Sequence, residues 1–146
     1  MFLAAMLPVP GRSMNEQRSA EPIDGRVPLS TAEFTDLGGD VWTIGPATAT
    51  ELFLHDVPAD RAAWAASRLR PQCYRVMSEI TPLESWPDVK AASIVCADDR
   101  AINPDWVRSA ARNRLGVEPV ELPGSHSPFL TRPAELARVI DWVGRA

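Results

Sequence analysis

Two apolar stretches frame the chain. Residues 2–7 (FLAAML) form a short continuous run that the pattern predicts to be a fully buried strand, and residues 91–97 (AASIVCA), β-branched in the middle, read as a strand covered on both faces. The polar stretch after Pro8, Pro10 and Gly11, up to about Pro28, has no sustained apolar period and reads as an excursion or long loop. Helix signals come next. Ser30 with Glu33 opens a predicted helix over Thr31 to Leu37, stopped by Gly38 and Gly39; Thr48 with Glu51 introduces ELFLHDV; and Ala59 to Leu69 lies between Pro58 and Pro71. Short helices parted by Pro and Gly suggest a lid.

The last third has a stronger rhythm. Pro104 opens a helix whose apolar face is Trp106, Val107, Ala110, Ala111 and Leu115, with Gly116 as its stop. Residues 117–122 (VEPVEL) read as a strand, and Pro119, lacking an N–H, assigns it to a sheet edge. Pro133 sits in the first turn of a final helix carrying Leu136, Val139, Ile140 and Val143 on one face. Strand, helix, strand, helix in this order predicts parallel strands and an α/β fold.

Totals narrow the function. At 146 residues the chain is the size of one domain, and 45% hydrophobic with 23% charged residues is the balance of a chain that folds. A net charge of −4 offers no excess positive charge to a phosphate backbone or anionic membrane surface, so nucleic acid and membrane are not expected partners. No run approaches the ~20 apolar residues of a membrane helix, and residues 2–7 lack a basic flank and break at Pro8, unlike a secretory segment. Cys73 and Cys96 are too few for a disulfide framework, which fits a cytoplasmic setting. His55 beside Asp56 has no second ligand at helical spacing, so it reads as a polar contact and no metal or other cofactor is expected.

Parallel α/β sheets gather ligands at the carboxyl ends of their strands. The loop after residues 91–97 carries Asp98 and Asp99, and the loop after residues 117–122 carries His126, so neighbouring parallel strands would bring Asp99 and His126 to one edge. A carboxylate that accepts from an imidazole fixes its tautomer and stabilises the imidazolium formed when it acts as a base. Ser125 and Ser127, flanking His126, read as turn residues directed away from its ring.

With these residues in hand, SIVCADDRAINP followed by ELPGSHSPFLTRPAELA resembles the end of the esterase and hydroxynitrile-lyase-like branch of the α/β-hydrolase superfamily. ELFLHDVP, SRLRPQ and ITPLESWPDV resemble that branch's cap and post-cap segments, and FLAAMLPVPGRSM its sixth central strand with the exit into the cap. The resemblance implies the C-terminal part of an α/β-hydrolase fold: about three parallel strands with flanking helices, a helical cap-like insertion over residues 12–87 and a C-terminal β-α-β-α unit over 88–146, together a single partial domain. It implies hydrolysis of a small carboxylic ester by a serine nucleophile, with Asp99, the second residue of its DDRAI string, as acid and His126 as base. Trp42 and Trp64 fall in the cap-like section, where an apolar acyl or aromatic pocket would form.

The nucleophile is the departure from that pattern. The elbow and oxyanion loop belong before the sixth strand, where this sequence starts, so the chain is expected to be a truncated or mis-started, inactive form with an open sheet edge suited to self-association. Ser13, in Gly11-Arg12-Ser13-Met14-Asn15, is the nearest internal candidate; it has Asn15 where the elbow wants glycine and no clear helix after it. Two alternatives stay open: a non-catalytic binding module working through the cap surface, and a lyase that uses the same fold without an acyl intermediate.

Overall fold

The computed structural model describes residues 1–25 and 34–145. A parallel sheet is built from β1 (Phe2–Leu3), β5 (Ser93–Cys96) and β6 (Val120–Leu122) in the order β1-β5-β6. Register pairs Phe2 with Ser93 and Leu3 with Ile94 on one side, and Ile94 with Val120 through Cys96 with Leu122 on the other. β5 is the middle strand and is buried throughout, as expected of an apolar run flanked by neighbours on both edges. β6 lies at a sheet edge, where Pro119 just before it removes no ladder bond.

The expected strand over residues 2–7 is shorter. Ala4 donates its N–H to the Ile94 carbonyl but takes φ +42°, and this left-handed turn lifts the chain out of the ladder. Beyond Ala4 the chain crosses the core instead of pairing: Leu7 is fully buried in a cluster with Ile23, Val95, Ile102, Trp106 and Val107. The polar stretch after it is not all loop either. Helix α1 (Met14–Ala20) starts at Ser13, and Gln17 on this helix is fully buried. Gln17 donates to the Leu7 carbonyl and accepts from the Val9 N–H, both at 2.8 Å, which satisfies two backbone groups left without a strand partner. Arg114 adds a second donor to the Leu7 carbonyl and pairs with Glu21 at 2.6 Å.

Between β1 and β5 the sequence suggested helices alone. A second, antiparallel sheet is present there: β2 (Phe34–Asp36), β3 (Val41–Ile44) and β4 (Gln72–Cys73), in the order β2-β3-β4. The predicted helix over residues 31–37 is therefore a strand from Phe34 onward, and its Ser30–Glu33 capping box lies outside the described residues. Gly38 and Gly39 with Asp40, all at positive φ, turn the β2–β3 hairpin instead of ending a helix. Helix α2 (Pro46–Phe53) opens at Gly45 with proline in its first turn, earlier than Thr48 suggested, and stops at Leu54, so His55 and Asp56 lie past its end. Helix α3 (Ala59–Ala66) follows Pro58, and a single turn, α4 (Arg75–Ser78), follows β4.

After β5 the predicted order of elements is found, with the strand expected over residues 117–122 formed only at Val120–Leu122. Helix α5 (Pro104–Ala110) is capped by the Asn103 side chain, runs on as a π-helical turn over Ala111–Leu115, and ends at Gly116 in the left-handed region, φ +66°. Trp106, Val107, Ala110 and Ala111 are buried against the sheet. A short turn, α6 (Pro128–Thr131), precedes α7 (Pro133–Arg145), whose Leu136 packs with Ile94 and Leu122 on the opposite sheet face while Val139 covers the edge of that cluster. No described helix is long and apolar enough to cross a membrane.

Candidate active site

The loop leaving β5 and the loop leaving β6 run side by side because their strands are adjacent and parallel. Ala97 donates its N–H to the Leu122 carbonyl and Asp98 donates to the Gly124 carbonyl, extending the pairing past the strands. The Asp98 carboxylate returns the contact, accepting from the Gly124 N–H at 2.9 Å. That spends Asp98 on the joint between the loops and leaves Asp99 facing His126.

Asp99 is 6% exposed, and its two carboxylate oxygens have separate partners. Oδ1 accepts from the Ala101 and Ile102 N–H groups at 2.8 and 3.0 Å, fixing the carboxylate by the backbone of its own loop. Oδ2 lies 2.7 Å from His126 Nδ1, and since a carboxylate only accepts, the imidazole carries its proton on Nδ1 and donates. Nε2 is then the basic nitrogen. The Asp99 loop is buttressed from behind by residues 23–25: Asn103 donates to the Ile23 carbonyl, Gly25 to the Ala101 carbonyl, and Asp24 bridges to Ile102. A Cβ at Gly25 would run into the Arg100 carbonyl, so only glycine allows this approach.

His126 opens onto a cavity of about 620 Å³. Its wall is largely apolar and aromatic, with Trp42, Phe53, Tyr74, Met77 and Ile102 among the residues facing it. Phe34, Trp42 and Tyr74 form one aromatic face, the Trp42 ring 6.5 Å from Phe34 and 5.7 Å from Tyr74. The His126 imidazole is one of the polar groups on this wall, together with the Arg18 and Arg70 side chains. Trp42 lies in this wall. Trp64 does not: it is half exposed on α3, under the Arg68 guanidinium at 4.1 Å, and is not part of this wall.

Ser13 is a capping residue. Its hydroxyl accepts from the Glu16 N–H at 3.2 Å and donates to the Glu16 carboxylate at 2.9 Å, while its own N–H donates to the same carboxylate at 2.8 Å. These bonds hold the Glu16 carboxyl below its ordinary range, the backbone bond contributing most. The helix absent from the sequence expectations is thus announced by the Ser13–Glu16 capping box, and the hydroxyl is committed to it. Ser125 and Ser127 are buried in the histidine loop; the Ser125 hydroxyl donates to the Phe53 carbonyl at 3.3 Å. His55 makes the expected polar contact, at 3.0 Å from the Asp98 carbonyl, and no cluster of potential metal ligands occurs among the described residues.

The sequence model of the alpha/beta hydrolase family matches residues 1–139, a span that includes both strand-end loops with Asp99 and His126. This chain belongs to the alpha/beta hydrolase family. Among solved structures, this α/β-hydrolase chain is similar to polyneuridine aldehyde esterase, with 17% identity and a TM-score of 0.76 over 98% of this chain and 60% of that one. A histidine-to-alanine mutant of the same esterase matches with 17% identity and a TM-score of 0.71, over 94% of this chain and 58% of that one. The likeness is one of fold, and the α/β-hydrolase chain spans less than two thirds of the length of these structures. No curated protein sequence matches it.

Proposed function

We propose that this chain supplies the acid and the base of a serine-type carboxylic ester hydrolase, Asp99 and His126, and the pocket that holds an apolar ester. The observation that carries this reading is the 2.7 Å hydrogen bond from His126 Nδ1 to a backbone-held Asp99, with His126 on the wall of an aromatic cavity. In such a reaction His126 Nε2 takes the proton of a serine hydroxyl as its oxygen attacks the ester carbonyl. The imidazolium returns that proton to the departing alcohol, leaving an acyl-enzyme, and water then attacks the acyl carbon with the same imidazole as base. Asp99 holds the tautomer throughout.

Residues 12–87 act as the cap over the pocket and residues 88–146 as the β-α-β-α unit that carries the pair. Ser13 is committed to its helix and Ser125 to Phe53, so the reading places the nucleophile in polypeptide outside these 146 residues and expects the chain alone to be inactive. The test is to incubate it with a short-chain p-nitrophenyl ester and a fluorophosphonate probe. Neither turnover nor labelling is expected. A form extended upstream in frame through a G-x-S-x-G segment is expected to do both, and His126→Ala in that form to lower turnover about 10⁴-fold. Labelling of Ser13 in the 146-residue chain, lost in His126→Ala, overturns the reading.

A further inference from the structure

Where α2 ends, residues 53–56 (FLHD) meet both strand-end loops. Asp56 Oδ2 accepts from the Ser125 N–H at 2.9 Å, and the Ser125 hydroxyl donates to the Phe53 carbonyl at 3.3 Å. The Phe53 ring lies against the imidazole of His126, centroids 5.2 Å apart. On the acid side, His55 Nε2 donates to the Asp98 carbonyl at 3.0 Å, and Asp98 accepts from Gly124. Gly124 takes φ +105°, and a Cβ on it would stand 2.7 Å from Asp56 Oδ2, so the backbone is shaped to admit that carboxylate.

From this geometry we propose that Asp56 is the positioning residue of His126. Ser125 is fully buried, so its N–H, deprived of Asp56, would be left without a partner and the peptide would turn to find one. That peptide leads directly into His126, and a small rotation there swings Nδ1 out of line with Asp99. The Phe53 contact alone does not prevent this, because ring packing resists displacement but does not set the backbone angle. Catalytic geometry tolerates only about 0.5 Å of error, which is why a group holding the neighbouring peptide matters. The consequence for chemistry rests on the reading of His126 as the base; the positional claim does not.

The experiment therefore reads the hydrogen bond and not turnover. In the 146-residue chain uniformly labelled with ¹⁵N, the Nδ1 proton of His126 and the Ser125 amide proton are followed by NMR together with their exchange with solvent. Asp56 is exposed, so its replacement leaves the buried clusters intact. In Asp56→Ala the Nδ1 proton is expected to exchange at least about ten-fold faster, since a hydrogen bond to a charged acceptor is lost. Asp56→Asn, whose amide oxygen still accepts from Ser125, is expected to restore slow exchange. Exchange in Asp56→Ala as slow as in the unchanged protein overturns the proposal. In the unchanged protein the Ser125 amide and the His126 ring proton are expected to exchange through one opening event, at a common rate; unrelated rates overturn it even where Asp56→Ala does not fold. An intact His126 signal in an extended form that fails to hydrolyse esters counts against the proposed function and leaves this inference standing.

Discussion

Phe53 and His126 meet ring to ring, with centroids 5.2 Å apart and planes inclined at 47°. Phe53 is the last residue of α2, between β3 and β4 in sequence, while His126 follows the last strand, so this contact ties the segment between two antiparallel strands to the loop that bears the imidazole. Both residues also line the cavity.

Replacing this ring separates the two effects. Phe53→Leu keeps apolar bulk but removes the aromatic face, so the His126 carbon-bound proton resonances are expected to lose their ring-current displacement with little change in stability. Phe53→Ala also opens a gap in a half-buried site and is expected to cost about 2 kcal/mol, less than a fully buried phenylalanine. Chemical denaturation and histidine NMR on the same samples check both.

Asp99→Asn preserves shape, and its amide oxygen can still accept from Ala101 and Ile102, but its NH₂ then faces His126 and the Nδ1 proton has no acceptor. The imidazole is expected to switch to the tautomer protonated on Nε2, visible in its ¹⁵N shifts. In a form that hydrolyses esters, turnover is expected to fall about 10⁴-fold while the melting temperature moves little. Asp98→Asn is the contrast: it retains an oxygen for the Gly124 N–H and leaves the His126 tautomer unchanged.

Gln17 concerns stability. Its amide satisfies the Leu7 carbonyl and the Val9 N–H where the chain leaves β1, with no exposure to water. Gln17→Leu fits the apolar surroundings but strands the Val9 N–H and leaves the Leu7 carbonyl to Arg114 alone, and about 1–3 kcal/mol of destabilisation is expected from a urea titration. Gln17→Glu loses the donor to Leu7 and buries a charge, so it is expected to be the worse of the two.

These residues show why parts of the molecule could be read from sequence and others could not. β5 is legible because a middle strand of a parallel sheet must be apolar on both faces, and SIVC satisfies that without help from context. The Asp99–His126 meeting follows from the same logic, since adjacent parallel strands release their loops at one edge. The antiparallel sheet is hidden because its strands run only two to four residues, too short for alternation to show against a helical background. Helix α1 presents no apolar face, and its start lies in the Ser13–Glu16 box, two polar residues whose spacing carries the signal. The end of β1 depends on a left-handed alanine, and alanine gives no warning of positive φ. Trp64 fails for a simpler reason: a tryptophan in the right segment still has to lie on the right face, and this one faces Arg68.

The two thiols are expected to behave in opposite ways. Cys73 is exposed on β4 and faces the cavity, whereas Cys96 is 1% exposed in the middle strand. Burial first, and then the Asp99 and Asp56 carboxylates, push the Cys96 thiol from 9.0 up to about 12. A thiol reagent is expected to modify one cysteine rapidly in the native protein, the second only on unfolding, and a bulky adduct on Cys73 to obstruct the pocket. The same shift has a consequence for pH. Below about 9 the Cys96 thiol is neutral in both folded and unfolded chains and its contribution is fully present. Between about 9 and about 12 the unfolded chain releases the proton while the folded one retains it, so stability falls as pH rises through that window. Urea midpoints measured across it are expected to decline less steeply in Cys96→Ala than in the unchanged protein. Equal slopes would mean that the buried thiolate carries no such penalty.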